Sequence, residues 1–366
     1  MLPLARAFAA AGHDVAFATA AVWEAWARAE GFDFLRVGLE PDVADARNVP
    51  RRAALQSLPI PDRRPYAFTT RFAIIEAPER VDDVRVAVRS WGAELVVHEA
   101  GDLTAPLVAT ELELPSVHHG FGRMVPLRAL AAAAEAMEPL WRAAGLAPTP
   151  YAGAFRGAYV DIVPPSLSSD TPPDGVRVER LRPAEPAPAE GEPEWLASLP
   201  GRPTVYVTLG TVFNAVDRFR TLLAALGGLD VNVVATVGAG VDPETLAPLP
   251  RNAHVERYVP QEQVLRHVTV VVAHGGSGSM LGALAHGLPM LLLPRGADQF
   301  ENAEACVEAG AGLALLPDEV SPDAVREAVL TLLEEPSYAA AARAVADEIA
   351  AMPSPDELVP VLLDGG

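Results

Sequence analysis

The chain has 366 residues, half of them hydrophobic, which is more than one core comfortably holds and predicts two domains. Its formal net charge of −20 repels polyanions, so we expect no nucleic-acid partner and no stable association with an anionic membrane. Lysine is absent, which excludes a P-loop lysine and Schiff-base chemistry. No apolar run is long enough to span a membrane and no signal peptide is recognisable, so the cytoplasm is the expected compartment.

The first half of the chain alternates helical and extended patterns, which is typical of a doubly wound α/β domain. The predicted strands lie at 14–19, 32–37, 94–101, 115–122 and 159–167, and the predicted helices at 2–11, 77–91, 103–112 and 126–144. The region from Pro41 to about Ala73 shows little periodicity, so we expect it to be irregular. The segment 159–167 is predicted to be the last strand of this domain.

Proline and acidic residues become dense between residues 181 and 203, which predicts an extended linker. The predicted domains are therefore 1–180 and 204–350. The remaining residues, 351–366, contain a helix start in which Ser354 is the N-cap and Glu357 completes a capping box.

One stretch of the second domain, from Thr269 to Ala303, is a strand, a glycine loop, a helix and a second strand. Its loop lets backbone approach a ligand closely, and the following helix points unpaired N–H groups at that ligand. The expected ligand is a phosphate group. The candidate ligand-binding residues of the loop are His274, Gly275, Gly276, Ser277, Gly278 and Ser279.

Two further strand ends are predicted to converge on this loop, because ligands of doubly wound sheets bind at the carboxyl ends of the strands. Thr211 follows the first strand of the second domain, and Asp298 with Gln299 follows the strand MLLLP. A carboxylate beside an amide suits sugar hydroxyls. A Rossmann dinucleotide site is the alternative, but its G-x-G-x-x-G fingerprint fails at the third glycine, where Leu281 stands.

The motifs HGGSGS, GALAHGLPMLLLP, ADQFENA and YVPQEQVL resemble the donor-binding signature of the UDP-glycosyltransferase superfamily, especially bacterial enzymes that glycosylate macrolides and other secondary metabolites. The resemblance implies a GT-B fold, in which two Rossmann-like domains face a cleft, and a C-terminal helix that packs back on the first domain. It implies that His274 and its loop hold a diphosphate, that Asp298 and Gln299 hold the sugar, and that the base lies against the YVPQ motif. The residues of that motif are Tyr258, Val259 and Gln261.

The resemblance also implies a single displacement with inversion at the sugar, without a metal ion or other cofactor. Its donor would be a UDP- or TDP-sugar and its acceptor a small hydrophobic polyketide or macrolide, bound by the first domain. His118 and His119 are candidates for the acceptor pocket. They are adjacent in a strand and are predicted to point to opposite faces, which argues against a shared metal. A homodimer is compatible with the sequence.

In relatives the general base is a histidine in a loop between the first strand and first helix, whereas this chain begins within that helix. The first domain is therefore expected to miss its central strand, which would leave the edges of the strands at 14–19 and 94–98 unpaired unless they close up. Glu99 matches the carboxylate that orients the missing histidine, and it is the candidate catalytic residue that remains. We expect the upstream DNA to encode an apolar strand and a Gly-His loop in frame with Met1.

Three functional classes remain open at this point. The first is a glycosyltransferase, whose activity in the chain as written is expected to be absent. The second is a protein that binds a nucleotide sugar without catalysis and regulates or partners another enzyme. The third is a sugar-nucleotide epimerase, but the additional carboxylates that it needs around the anomeric carbon are not evident in the sequence.

Overall fold

The computed structural model describes residues 1–168, 171–183, 191–210, 216–238 and 240–364. The backbone divides into two units. Unit 1 consists of Met1–Ile162, Asp170–Leu181 and Pro353–Gly366, and unit 2 of Val163–Ser169 and Arg182–Met352. Within the described ranges, no helix is long and apolar enough to cross a bilayer.

All strands of the described residues belong to parallel sheets, and they are short. They are β1 (Ala16–Thr19), β2 (Asp33–Arg36), β3 (Val96–Glu99), β4 (Ser116–His119), β5 (Ala158–Asp161), β6 (Val178–Arg180), β7 (Thr204–Thr208), β8 (Asn232–Thr236), β9 (Ala253–Glu256), β10 (Val270–Ala273), β11 (Met290–Leu292) and β12 (Gly312–Ala314).

Helices connect these strands. They are α1 (Leu2–Ala10), α2 (Glu24–Ala29), α3 (Pro41–Asn48), α4 (Arg52–Ser57), α5 (Ile60–Phe68), α6 (Ala77–Trp91), α7 (Thr104–Glu111), α8 (Leu127–Ala143), α9 (Glu194–Ala197), α10 (Val216–Leu226), α11 (Gln261–Leu265), α12 (Ser277–Ala285), α13 (Gln299–Glu308), α14 (Pro322–Glu334), α15 (Pro336–Ala351) and α16 (Pro355–Leu363). A π-helix spans Thr69–Glu76, and short 3₁₀ helices lie at Ala21–Trp23, Val49–Arg51, Pro150–Gly153, Pro165–Leu167 and Pro243–Leu246.

Unit 1 contains two separate sheets, so the strands predicted at 14–19 and 94–98 do not close up and pair directly. β1 pairs with β2, and β3 pairs with β4, which is followed by β5 and β6. β1 and β3 do not pair with each other, so each presents an open edge. The prediction that 159–167 is the last strand was wrong, because β6 adds a further parallel strand beside β5.

The region 41–73 is helical, which corrects the prediction of an irregular segment. It contains α3, α4, α5 and the start of the π-helix. Proline occupies the first turn of both α3 and α5, where its missing N–H costs nothing. Few of these residues are buried; Ala44 is the buried residue of α3. Because the apolar stripe is so narrow, the 3.6-residue period is not visible in the sequence.

The C-terminal helix α16 belongs to unit 1, where it packs against α1. Its Leu358, Val359 and Leu362 share one hydrophobic cluster with Leu4 and Phe8 of α1. The predicted capping box is confirmed, since the Ser354 hydroxyl accepts from the Glu357 amide and the Glu357 carboxylate accepts from the Ser354 amide. The helix therefore begins where the sequence indicated.

Unit 2 is built on one six-stranded parallel sheet in the order β12-β11-β10-β7-β8-β9. The central strand β7 is buried along its whole length and pairs with β8 on one side and β10 on the other. α10 and α14 pack together over one face of the sheet and contribute to its core. In this doubly wound arrangement the carboxyl ends of β7, β10 and β11 lie next to one another, at the edge where doubly wound sheets in general bind their ligands.

Candidate functional site

His274 follows β10, and its ring is held between two glycine loops. A Cβ added at Gly210, which follows β7, would lie 2.7 Å from Cε1 of the ring, and one added at Gly276 would lie 2.4 Å from Nε2. A side chain at either position would therefore displace the ring. Burial lowers the pKa of His274, although the charge of Asp298 opposes this effect. The imidazole is thus neutral near pH 7 and carries one N–H donor.

The amino end of α12 is open to a ligand. The first amides of a helix have no intrahelical acceptors, and its N-cap Gly276 has no side chain that could accept from them. Gly275 has a φ of 85°, a left-handed conformation that glycine adopts without strain. A nine-residue helix that starts in this way presents backbone N–H groups and a positive dipole end to an anion.

Asp298, Ser277 and Asn302 form a hydrogen-bonded group beside this helix end. The Ser277 hydroxyl donates to Oδ2 of Asp298 at 2.6 Å. The Asn302 amide donates to the same Oδ2 at 3.0 Å and to the Gly275 carbonyl at 2.8 Å. Asn302 is fully buried, so it fixes both the glycine loop and the carboxylate. The motif ADQFENA contains Asn302, but its positioning role was not predicted from the sequence.

Gln299 starts α13 and is 3 % exposed. Its Oε1 accepts from the amides of Arg295 and Gly296, at 2.8 and 3.3 Å. The side chain therefore orders the loop after β11 in which Asp298 lies. Asp298 and Gln299 were both predicted to hold the sugar, and the structure places the carboxylate of Asp298 beside α12.

The proximity of two arginines, Arg218 and Arg295, was not anticipated from the sequence. Arg218 is in the first turn of α10, after β7, and Arg295 follows β11. Burial lowers the pKa of Arg218, and the neighbouring charge of Arg295 lowers it further, so the two guanidinium groups lie close enough to repel each other. Two cations that lie close together favour an anionic ligand.

The YVPQ motif lies after β9. Tyr258 is 75 % exposed, whereas Val259 is buried. Gln261 begins α11, and its Nε2 donates to the Ser279 carbonyl of α12 at 3.4 Å. An exposed tyrosine ring is available for stacking on a flat ligand. Thr211, the remaining candidate of this unit, lies outside the described residues.

In unit 1, Glu99 ends β3 and lines a cavity of about 760 Å³. Its Oε2 accepts from the Gly101 amide at 2.9 Å, and the Phe72 ring packs over Gly101. Burial raises the pKa of Glu99 to about 7; the Gly101 amide opposes this shift, and the nearby Asp102 adds to it. The carboxyl group is thus poised to exchange a proton near neutral pH.

His118 and His119 are both buried in β4. Their backbones are adjacent, and their rings contact different groups. His118 stacks on His98 with ring centroids 5.2 Å apart, and its Nδ1 lies 3.2 Å from the Ala154 carbonyl. Nδ1 of His119 lies 2.6 Å from the Gly120 carbonyl. Over the described part of the chain, no cluster of three or more His, Cys, Asp or Glu side chains is arranged to hold a metal ion.

Comparison with known proteins decides the family. Residues 220–364 match the family model of the erythromycin biosynthesis protein CIII-like C-terminal domain. The chain is 31 % identical to an aklavinone 7-beta-L-rhodosaminyltransferase of Streptomyces galilaeus, over 99 % of this chain and 91 % of the relative. It belongs to the secondary-metabolite glycosyltransferases of the UDP-glycosyltransferase superfamily.

Other members of this glycosyltransferase family agree over nearly the whole length. A 3-alpha-mycarosylerythronolide B desosaminyl transferase of Saccharopolyspora erythraea is 29 % identical over 98 % of this chain and 93 % of its own. The solved spinosyn rhamnosyltransferase SpnG, complexed with thymidine diphosphate, superposes with a TM-score of 0.81 at 26 % identity. That match covers 99 % of this chain and 95 % of the other. The chain is accordingly a GT-B transferase of two Rossmann-like domains.

Proposed function

We propose that this glycosyltransferase moves a sugar from a TDP- or UDP-sugar to a hydroxyl group of a small hydrophobic polyketide or macrolide. The observation that carries the proposal is the open amino end of α12 beside the glycine-held ring of His274. A site of backbone N–H groups at the start of a helix, beside a histidine ring, suits a diphosphate. The relative SpnG is described with thymidine diphosphate and with a spinosyn aglycone, which supports a nucleotide donor and an apolar acceptor.

The proposed reaction is a single displacement with inversion. The acceptor oxygen forms a bond to the anomeric carbon, and the bond from that carbon to the diphosphate oxygen breaks with its electron pair on the diphosphate. The acceptor proton passes to a general base. Charge grows on the leaving diphosphate, and the amides of α12 and the N–H of His274 are the groups that we propose stabilise it.

The other donor residues are assigned by their surroundings. The carboxylate of Asp298, held by Ser277 and Asn302, accepts hydrogen bonds from sugar hydroxyls. Gln299 holds the loop on which Asp298 is carried. Tyr258 stacks on the nucleobase with its exposed ring. These contacts separate sugar recognition from diphosphate recognition.

Glu99 is the proposed proton acceptor within unit 1. Its pKa of about 7 gives a group that is partly ionised at neutral pH, and it lines a cavity with both apolar and charged walls. A base with a pKa near the working pH combines the correct protonation state with a useful driving force.

The competing function is nucleotide-sugar binding without transfer. Purified protein is incubated with TDP- and UDP-sugars and with polyketide aglycones, and glycosylated product is detected by mass spectrometry. Product that disappears in the Glu99→Gln variant supports transfer with Glu99 as the base. Tight binding of nucleotide sugar with no product from any donor and acceptor pair contradicts transfer and supports the binding protein.

A further inference from the structure

The two nitrogen atoms of the His274 ring have different surroundings. Nδ1, the nitrogen closer to the backbone, is buried and makes no hydrogen bond to any described residue. Nε2, at the far end of the ring, lies against the two glycine loops. A Cβ added at Gly210 would come within 2.8 Å of Nε2, and one added at Gly276, the N-cap of α12, within 2.4 Å. The ring therefore has a closed side at Nδ1 and faces the start of α12 with Nε2.

The backbone of β7 provides an acceptor for the ring. Thr208 ends β7 and pairs with Ala273, so its carbonyl group is next to the backbone from which His274 projects. This carbonyl raises the pKa of the ring, as an acceptor does, although the contact falls short of a full hydrogen bond. An acceptor beside one ring nitrogen favours the proton on that nitrogen. The neutral ring is therefore expected to carry its proton on Nδ1.

This tautomer leaves Nε2 with a lone pair and no hydrogen. A lone pair cannot donate to a phosphate oxygen, which is itself an acceptor. The neutral ring thus directs an acceptor at the start of α12, where the diphosphate is proposed to bind. In the imidazolium form both nitrogens are donors, so a diphosphate in contact with Nε2 requires the charged ring.

The groups that face the ring keep it neutral when no ligand is bound. Burial lowers the pKa of His274, and the positive end of α12 acts in the same direction. Among the described residues, Asp298 is the charged group that opposes burial. Its Oδ2 already accepts from Ser277 and Asn302. The neighbours from β7 and the loop after it, Thr208 and Gly210, carry no charge.

A bound diphosphate reverses this balance. An opposite charge within about 4–6 Å favours the charged form of a titratable group and moves its pKa by about 1–3 units. For a histidine the direction is upward. When the bond to the sugar breaks, the diphosphate gains a further negative charge, so the imidazolium stabilises the leaving group more than it stabilises the donor.

We propose that a nucleoside diphosphate binds together with one proton, which His274 takes up from solvent on Nε2. In the bound state Nε2–H donates to a phosphate oxygen and Nδ1–H faces the Thr208 carbonyl. Affinity for the diphosphate therefore decreases as the pH rises through the pKa of the ring in the complex. The inference rests on the proposed diphosphate site and adds its protonation state.

Titration calorimetry with thymidine diphosphate measures this proton. Each titration is run at the same pH in HEPES and in Tris, whose ionisation enthalpies differ, so the difference in heat gives the number of protons exchanged. The series covers about pH 6.5 to 8.5, around the range in which histidine titrates. His274→Gln is the matched variant, because glutamine keeps N–H donors but does not titrate. His286→Gln, at the other end of α12, is the second control.

We expect the parent and His286→Gln to take up more protons than His274→Gln, by about half a proton per ligand or more at the maximum of the series. Half a proton is the uptake that a shift of about 1 unit gives. At that pH the affinity of the parent should fall about threefold or more per pH unit, relative to that of His274→Gln. Above about pH 7.5 the ligand is fully ionised, so uptake by the parent alone decides the matter if the variant does not fold.

Nitrogen-15 NMR of the histidine rings tests the starting tautomer in the protein without ligand, with the His274→Gln spectrum used to identify the signal. A neutral His274 ring that carries its proton on Nε2 overturns the inference. Binding with equal proton exchange in the parent and His274→Gln also overturns it and leaves the proposed function intact. If the folded parent binds neither thymidine nor uridine diphosphate, the proposed function itself is contradicted, and the inference with it.

Discussion

At the scale of single residues, Asp298 is expected to bind the sugar of the proposed donor and not its diphosphate. Its carboxylate is bound by Ser277 and Asn302 and lies beside the helix end, whereas the diphosphate is assigned to backbone amides. We expect Asp298→Ala to weaken nucleotide-sugar binding by about 2–5 kcal/mol, since a charged hydrogen-bond partner is lost, and to leave nucleoside diphosphate binding nearly intact.

Calorimetry with both ligands checks this prediction, with the exposed Asp318→Ala as the matched control. Equal losses for the sugar-bearing and sugar-free nucleotides would show that Asp298 acts through the diphosphate.

The raised pKa of Glu99 predicts opposite effects of pH on the stability of the protein and on its transfer activity. Because its folded pKa is about 7 and its ordinary value 4.5, the unfolded chain releases this proton first as the pH rises. The contribution of Glu99 to stability therefore falls between pH 4.5 and 7 and is level above 7. Transfer that depends on the ionised carboxylate increases around the folded pKa, from roughly pH 6 to pH 8.

Melting temperatures and initial rates from pH 5 to 8.5 test both responses. Glu99→Gln should remove the pH-dependent loss of stability and most of the activity, whereas the exposed Glu94→Gln should change neither. A rate profile that is flat through pH 7 in the parent chain would eliminate Glu99 as the base.

Sequence reasoning located the residues of the candidate site better than their contacts. The glycine loop, His274 and Asp298 were identified because glycine spacing and strand ends are visible in the letters. The hydrogen bond from Ser277 to Asp298 was not identified, since the sequence does not show whether a serine hydroxyl faces a ligand or a neighbouring carboxylate. Arg218 was missed because its approach to Arg295 depends on the order of strands in the sheet.

At the level of elements, the start of α12 depends on Gly276. A Cβ there would lie 2.4 Å from Nε2 of His274 and displace the ring. Gly278, two residues on, has no atom within 4 Å of its added Cβ. We expect Gly276→Ala to lower the melting temperature and to weaken nucleoside diphosphate binding at least about tenfold, a loss of about 1.4 kcal/mol.

Gly278→Ala is the matched control for stability. It should raise stability by up to about 1 kcal/mol, because alanine favours a helix. Thermal unfolding of the two variants distinguishes them, and a Gly276→Ala protein that melts at the parent temperature would show that the ring has room to move.

Elements that are marked by a local sequence motif were predictable, whereas elements that depend on tertiary contacts were not. α16 was found from Ser354 and Glu357, whose capping box is local. The helices of 41–73 were missed because they bury few residues, and β6 because three residues are too short for a period to show. The resemblance implied that the strands at 14–19 and 94–98 lack a common neighbour, and the strand order of a doubly wound sheet placed them on either side of the central position.

At the level of the whole molecule, each unit has its own hydrophobic core, and the two can be tested separately. Leu358 of α16 is buried against α1 in unit 1. Leu358→Ala should cost about 2–5 kcal/mol in the unfolding of unit 1 and leave nucleotide binding by unit 2 unchanged. Val361, 38 % exposed on the same helix, is the matched control.

Tryptophan fluorescence reports this unfolding, since four of the five tryptophans lie in unit 1 and Trp195 lies in unit 2. Loss of nucleotide binding together with the fluorescence change would show that the units unfold as one.

The central claim, that the loop after β10 binds a nucleoside diphosphate, is tested most directly by titration calorimetry with thymidine and uridine diphosphate. We expect binding of at least one of them by the parent chain and a loss of at least about tenfold, or 1.4 kcal/mol, in His274→Ala. His286→Ala, at the opposite end of α12, should bind as the parent does. Unchanged affinity in His274→Ala, or no binding of either nucleotide by the folded parent protein, would contradict the account.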